Sequence, residues 1–163
     1  MNILAAQVGA ALKSHGLKLA TVESCTGGGV AQAITDVAGS SAWFECGFIT
    51  YSNLSKQQML GVSEATLRQH GAVSEKTVRE MVEGAFQHSV AQVALAVSGV
   101  AGPEGGTPDK PVGTVWLAWG VRHGAIRAQR YQLNGNRAEV RAQSVHIALQ
   151  GVVDLLNQAT LTA

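Results

Sequence analysis

Two hydrophobic rhythms alternate along the chain. Over residues 3–14, Leu4, Val8, Ala11 and Leu12 recur at helical spacing on one stripe, and Gly16 follows as a stop. Residues 17–22 then read as a short strand. The glycines at 27–29 lead into a second expected helix carrying Val30, Ala33, Ile34 and Val37 and closed by Gly39. Residues 43–51 predict a strand in which Phe44, Phe48 and Ile49 supply bulk, while Gly47 in the middle signals a bulge or a close approach. Two short helices, 53–60 and 64–70, are expected on either side of Gly61. Ser74 can cap a longer helix that turns Val78, Met81, Val82, Ala85 and Phe86 inward. The run VALAVSG, 93–99, is apolar throughout, as in strands covered on both faces. Beyond the loop GVAGPEGGTPDKP, the segment GTVWLAWG and residues 125–133 predict two further strands. Residues 137–157 close the pattern as a helix with Val145, Ala148, Leu149, Val152, Leu155 and Leu156 on its apolar side.

Helices bracket strands throughout, and the strands are too apolar to face water on either side. That order predicts an α/β fold, a three-layer α/β/α sandwich, and the return between 113 and 131 as a hairpin makes its sheet mixed rather than all-parallel. The 163 residues, 46% of them hydrophobic, suit a single domain spanning 1–163. Twelve Lys and Arg stand against eleven Asp and Glu, so no global field points to a nucleic acid. No stretch reaches the roughly 20 apolar residues needed to span a bilayer, and the first residues do not read as an export signal. The expectation is a cytoplasmic protein with no membrane and no direct nucleic-acid partner. Cys25 and Cys46 form neither a CxxC pair nor a zinc set and read as buried free thiols.

Candidate chemistry begins at ATVESCTGGG, residues 20–29. Ser24 falls where a strand ends, and Thr26, Gly27, Gly28 and Gly29 begin a helix. Free N–H groups at such a helix start can hold a phosphate or the oxygen of a tetrahedral intermediate. Ser24 is therefore either a nucleophile or simply a helix cap. The stretch is not a Walker A loop, which needs a lysine after its glycine turn, nor GxGxxG, nor the GxSxG elbow. In FITYSNLSKQQ, Tyr51 and Lys56 fall at a strand end and in the following helical turn. Lys56 either faces solvent or, if buried with a lowered pKa, accepts a serine proton near neutral pH; Tyr51 either packs, orients that lysine or relays the proton.

Taken together, ESCTGG, GSSAWFECGFITYSNLSK, GAVSE, SGVAGPEGG…KPVGTVW and GNR occur in an order that closely resembles the CinA C-terminal domain family over residues 5–157. Single-domain members of that family include bacterial nicotinamide mononucleotide (NMN) amidohydrolases. The resemblance implies an α/β/α domain that often forms a homodimer and a Ser/Lys deamidase with an assisting tyrosine. By motif these are Ser24, Lys56 and Tyr51, with Arg137 of GNR near the nucleotide phosphate. Thr26, Gly27, Gly28 and Gly102 are the accompanying substrate-side positions. The family's usual acid before that arginine is Asn136 here, which puts the placement of Arg137 in question.

The implied reaction turns NMN into nicotinate mononucleotide and ammonia with no cofactor and no metal. His15, His70, His88, His123 and His146 are scattered and suggest no metal cluster. The loop 98–106 is either a ligand-approaching backbone or a tight connection, and Glu104 in it touches the ribose or faces water. Arg122, Arg127, Arg130, Arg137 and Arg141 face the single acid Glu139 across 122–141, a concentration suited to a phosphate, a dimer partner or solvent. A pyridine-nucleotide-binding or regulatory paralogue without turnover is the alternative function, and a competence or DNA-repair accessory role is a third.

Overall fold

A computed structural model describes residues 2–162, and side chains as far as residue 158. Its elements are α1 (Asn2–His15), β1 (Leu19–Glu23), α2 (Gly29–Thr35), a 3-10 turn (Ser40–Ala42), β2 (Phe44–Ile49), α3 (Asn53–Leu60), α4 (Glu64–His70), α5 (Glu75–Gln87), β3 (Val93–Gly99), β4 (Thr114–Val121), β5 (Ile126–Gln132) and α6 (Arg137–Thr162). The strands form one sheet in the order β2-β1-β3-β4-β5. β1 lies parallel to both β2 and β3, whereas β3–β4 and β4–β5 are antiparallel. The sheet is mixed, as the hairpin return predicts.

Strand alternation divides the core into two layers. On one side Leu19, Val93, Leu95, Val97, Val115, Leu117 and Trp119 pack with residues of α1, α2 and α6. On the other, Ala20, Ala94, Ala96 and Ala118, with Val22, pack with α3, α4 and α5. The small side chains on this second face let α5 lie close to the sheet; its Gly84 in turn meets α3, where an added Cβ would stand 2.3 Å from the Leu60 carbonyl oxygen. Val145, Leu149, Val152 and Leu156 all point from α6 into the first layer, as their spacing predicts.

Helix α2 is shorter than the sequence reading, while Gly47 fulfils one of the two alternatives read for it. The second helix ends at Thr35 rather than reaching Gly39, because Val37 and Ser40 amides bond to Ile34 and Val37 carbonyls in tighter turns. At Gly47 there is a close approach: an added Cβ would lie 2.8 Å from Thr21 Oγ1, while the break in register falls earlier, between the Leu19–Phe44 and Ala20–Cys46 pairs.

From β1 the chain moves outward to β2 and then crosses to β3 on the opposite side of β1. The strand order therefore reverses at the carboxyl end of β1, the place where open α/β sheets leave a crevice for ligands. Ser24 follows β1, Tyr51 follows β2 and the 100–113 loop follows β3, so three connections converge there.

Candidate active site

A cavity of about 310 Å³ opens at this convergence, lined on the β1 and β2 side by Ser24, Cys25, Tyr51 and Lys56 and closed by the loop after β3 and by Arg137. Ser24 leaves β1 with its amide still bonded to the Val97 carbonyl, at 3.1 Å, so its position is set by the sheet. Lys56 arrives from α3. Ser52 and Ser55 cap that helix reciprocally, with amide-to-hydroxyl distances of 3.0 and 3.1 Å. Side chains in a helix lean toward its N-terminus. Lys56 thus reaches back over the first turn, and its Nζ donates to the Thr50 carbonyl at 2.8 Å and lies 3.0 Å from Ser24 Oγ.

Lys56 is only 1% exposed. Burial disfavours its charged form and pushes its pKa from 10.5 down to about 8. Roughly one lysine in ten is then neutral at pH 7, far more than at the ordinary lysine pKa. In the neutral amine one N–H holds the Thr50 carbonyl and the lone pair can accept the Ser24 hydroxyl proton. The arrangement has the geometry an activated serine requires: a hydroxyl, an amine within hydrogen-bond reach and a carbonyl that orients the amine.

Tyr51 stands at the cavity mouth, 61% exposed. Its hydroxyl lies 3.3 Å from Arg137 Nη2, and among the described residues it makes no hydrogen bond to Lys56 or Ser24. Arg137 Nη1 donates to the Gly102 carbonyl at 2.8 Å. Gly102 adopts φ +82°, and an added Cβ would lie 2.4 Å from Val112 Cγ1, so a side chain there is excluded twice over. Asn136 caps α6: its amide donates to Glu139 Oε1 and its Oδ1 accepts from the Glu139 amide, each at 2.9 Å. An aspartate would accept the same bond, which explains how asparagine at this position still sets Arg137 on the first turn of α6. Glu104 lines the cavity with its side chain exposed.

Thr26, Gly27 and Gly28 stand behind the cavity-lining Ser24 and Cys25 rather than on its wall, and of the amides at this helix start those of Gly28, Val30 and Ala31 are taken by the chain itself. Glu23, 1% exposed, accepts from Thr26 Oγ1 at 2.6 Å and from the amides of Gly28, Val30 and Ala31 at 3.2, 2.9 and 3.0 Å. The sequence reading passed over this glutamate; its signal was an acid directly before the glycine turn of a helix. Ser98 is buried and lines the cavity, and its hydroxyl makes no hydrogen bond among the described residues; in the sequence it stands out only as the start of the 98–106 loop.

The arginine concentration of 122–141 disperses in three dimensions. Arg122 donates to the Ala91 and Ser89 carbonyls, Arg127 stacks 4.9 Å from the centre of the Trp119 ring, and Arg130 donates to the Asp109 carbonyl. Arg137 and Arg141, four residues apart on α6, share the face toward the site. No group of three potential metal ligands occurs among the described residues, and no described helix is long and apolar enough to cross a membrane.

A model of the CinA C-terminal domain matches residues 1–156. The chain belongs to the CinA C-terminal domain family. The nicotinamide-nucleotide amidohydrolase PncC of Escherichia coli strain K12 is 55% identical over 90% of this chain and 89% of its own. That of Pseudomonas putida is 53% identical over 95% of this chain and 96% of its own. Among solved structures, the competence/damage inducible protein CihA from Agrobacterium tumefaciens superimposes with a TM-score of 0.92 at 43% identity, covering 96% of this chain and 94% of that one. In this CinA-family chain the five sequence motifs are therefore parts of one crevice: ESCTGG supplies Ser24, YSNLSK supplies Lys56, GAVSE supplies Ala72 and Val73, SGVAGP supplies Gly102 and GNR supplies Arg137.

Proposed function

We propose that this protein hydrolyses the carboxamide of NMN to nicotinate mononucleotide and ammonia through an acyl-enzyme on Ser24. The observation that carries the reading is the buried lysine amine 3.0 Å from the serine hydroxyl. The names of the amidohydrolase relatives supply the substrate. Lys56 takes the Ser24 proton as Oγ attacks the amide carbon, then returns it to the departing nitrogen, which leaves as ammonia. Water, deprotonated by the same amine, attacks the ester, and the acid is released with Ser24 restored. One water is consumed and one ammonia formed.

Arg137, held by the Gly102 carbonyl and beside Tyr51, lines the same cavity as Ser24 and is suited to the 5′-phosphate. A guanidinium offers a phosphate two parallel charge-assisted hydrogen bonds. The Tyr51 contact with Arg137 supports a part for the tyrosine in positioning the substrate end of the site, beside the assistance to Lys56 that the family resemblance implies. The resemblance also supports a homodimer, which sedimentation over a range of concentrations checks.

Incubating the pure protein with NMN and excess chelator tests the assignment. Nicotinate mononucleotide and ammonia in equal amounts are expected. NMN bound but unchanged across the pH range would favour the non-catalytic paralogue.

A further inference from the structure

The backbone of the serine turn has its polar groups taken from two sides. Glu23 collects donors: the Thr26 hydroxyl and the Gly28, Val30 and Ala31 amides. Arg141 collects acceptors: its Nε donates to the Cys25 carbonyl at 3.1 Å and its Nη2 to the Thr26 carbonyl at 3.2 Å. Within the turn, the Gly27 amide bonds to the Ser24 carbonyl and the Gly29 amide to the Thr26 carbonyl, at 3.1 and 3.0 Å. The Ser24 amide is held by Val97. Among the described residues the amides of Cys25 and Thr26 then find no acceptor in any other residue, the Cys25 amide meeting only its own thiol, in a segment where Cys25 and Thr26 are both buried. Unpaired buried N–H groups are rare in folded proteins and ask for a ligand.

Their aim is fixed by the groups that are paired. In a trans peptide the N–H points opposite to the preceding C=O. Pinning the Ser24 carbonyl to Gly27 sets the direction of the Cys25 N–H, and pinning the Cys25 carbonyl to Arg141 sets that of the Thr26 N–H. Cys25 itself lines the cavity next to Ser24. We infer that the Cys25 and Thr26 amides receive the oxyanion formed when Ser24 attacks a carbonyl, and that Glu23 and Arg141 are positioning residues that hold those amides in place. Arg141 is in this reading not a phosphate ligand, although it shares a helix face with Arg137. The inference rests on the reading of Ser24 as nucleophile but not on the identity of the substrate.

Arg141→Ala and Arg141→Lys test it, since both leave Glu23 and the core untouched; thermal melting identifies the folded variants, and Lys keeps one donor if Ala fails to fold. Two quantities are read: steady-state NMN hydrolysis, and the rate at which a fluorophosphonate, whose P=O oxygen also needs the oxyanion donors, labels Ser24. Expected for Arg141→Ala is a fall of roughly 10–100-fold in kcat. KM should stay within about twofold, because the donors act on charge that develops after binding. The labelling rate should fall in parallel, Arg141→Lys should lie between Ala and wild type, and the acid limb of the pH profile should not move. Unchanged kcat and labelling, or a loss confined to KM, would overturn the inference. If the wild type labels at Ser24 but leaves NMN intact, the substrate assignment fails while the labelling rates of the variants still decide the role of Arg141.

Discussion

In the proposed mechanism, burial and one carbonyl at Lys56 take the part that a carboxylate and histidine play in other serine hydrolases. Removing the ammonium from water lowers its pKa to about 8, and the Thr50 carbonyl orients it toward Ser24. Because the neutral amine is the working form, kcat/KM is expected to rise with pH and level off above about 8. A profile already flat from pH 6 would remove Lys56 from the role of base. Ser24→Ala is expected to abolish turnover while calorimetry still detects NMN, since the change removes the nucleophile and little volume. Near-normal rates from that variant would end the acyl-enzyme proposal. Arg137→Ala should raise KM by roughly 10–100-fold with kcat nearly kept, the loss of about two charge-assisted hydrogen bonds held equally in ground and transition states. It should also erase the preference for NMN over nicotinamide riboside, which lacks the phosphate; a preference that survives would move the phosphate elsewhere. Ser24, Lys56 and Arg137 could be picked out because each sits in a short motif. Glu23 and Arg141 could not, because what they do depends on contacts made by folding: Arg141 braces carbonyls 116 and 115 positions away, and Glu23 closes a turn whose glycines looked free.

Between elements, two tryptophans pack where glycines leave room. Trp119 of β4 lies against α6, its Nε1 donating to the Ala148 carbonyl at 2.9 Å, and an added Cβ at Gly151 would stand 2.1 Å from its ring. Trp43 occupies the same relation to Gly9 of α1, where the distance would be 2.5 Å. Gly151→Ala gains about 1 kcal/mol of helix propensity. It also pushes the indole off its hydrogen bond in a close-packed layer, at a cost that overpacking puts at about 1–3 kcal/mol and that the lost bond increases. The variant is therefore expected to unfold at lower urea than wild type, with an unchanged m-value. Equal or greater stability would show that the ring can move freely. Periodicity and local cap signals announced the helices and strands here, down to the capping serine at 74, since local hydrogen bonding and hydrophobic spacing decide them. It did not announce these contacts. VALAV reads as apolar at every position, and nothing in that run tells which alternate residues face Trp119's layer and which face the alanine layer under α5.

For the molecule as a whole, the same burial that lowers the pKa of Lys56 leaves a signature in stability against pH. Its pKa falls on folding, from 10.5 to about 8, so between those values the unfolded chain binds one more proton than the folded one and stability rises with pH. Cys25 behaves oppositely: burial raises its pKa from 9.0 to about 11, the unfolded chain loses the proton first, and stability falls with pH between those values. Cys46 and Tyr131, also raised by burial, add to the fall at high pH. The two windows overlap only in part. Urea unfolding should therefore give a stability that climbs from about pH 8 to 9, flattens where lysine and thiol oppose each other, and declines beyond about 10.5. Lys56→Met removes the rising limb alone. That variant should be inactive, more stable than wild type at pH 7 because no ammonium is buried at this position, and should decline from about pH 9 onward. Cys25→Ala removes the opposing group, so its stability should continue to climb past pH 9 toward 10.5. If the wild-type climb between pH 8 and 9 survives in Lys56→Met, the lysine is not the group that titrates, and the neutral amine beside Ser24 loses its thermodynamic support.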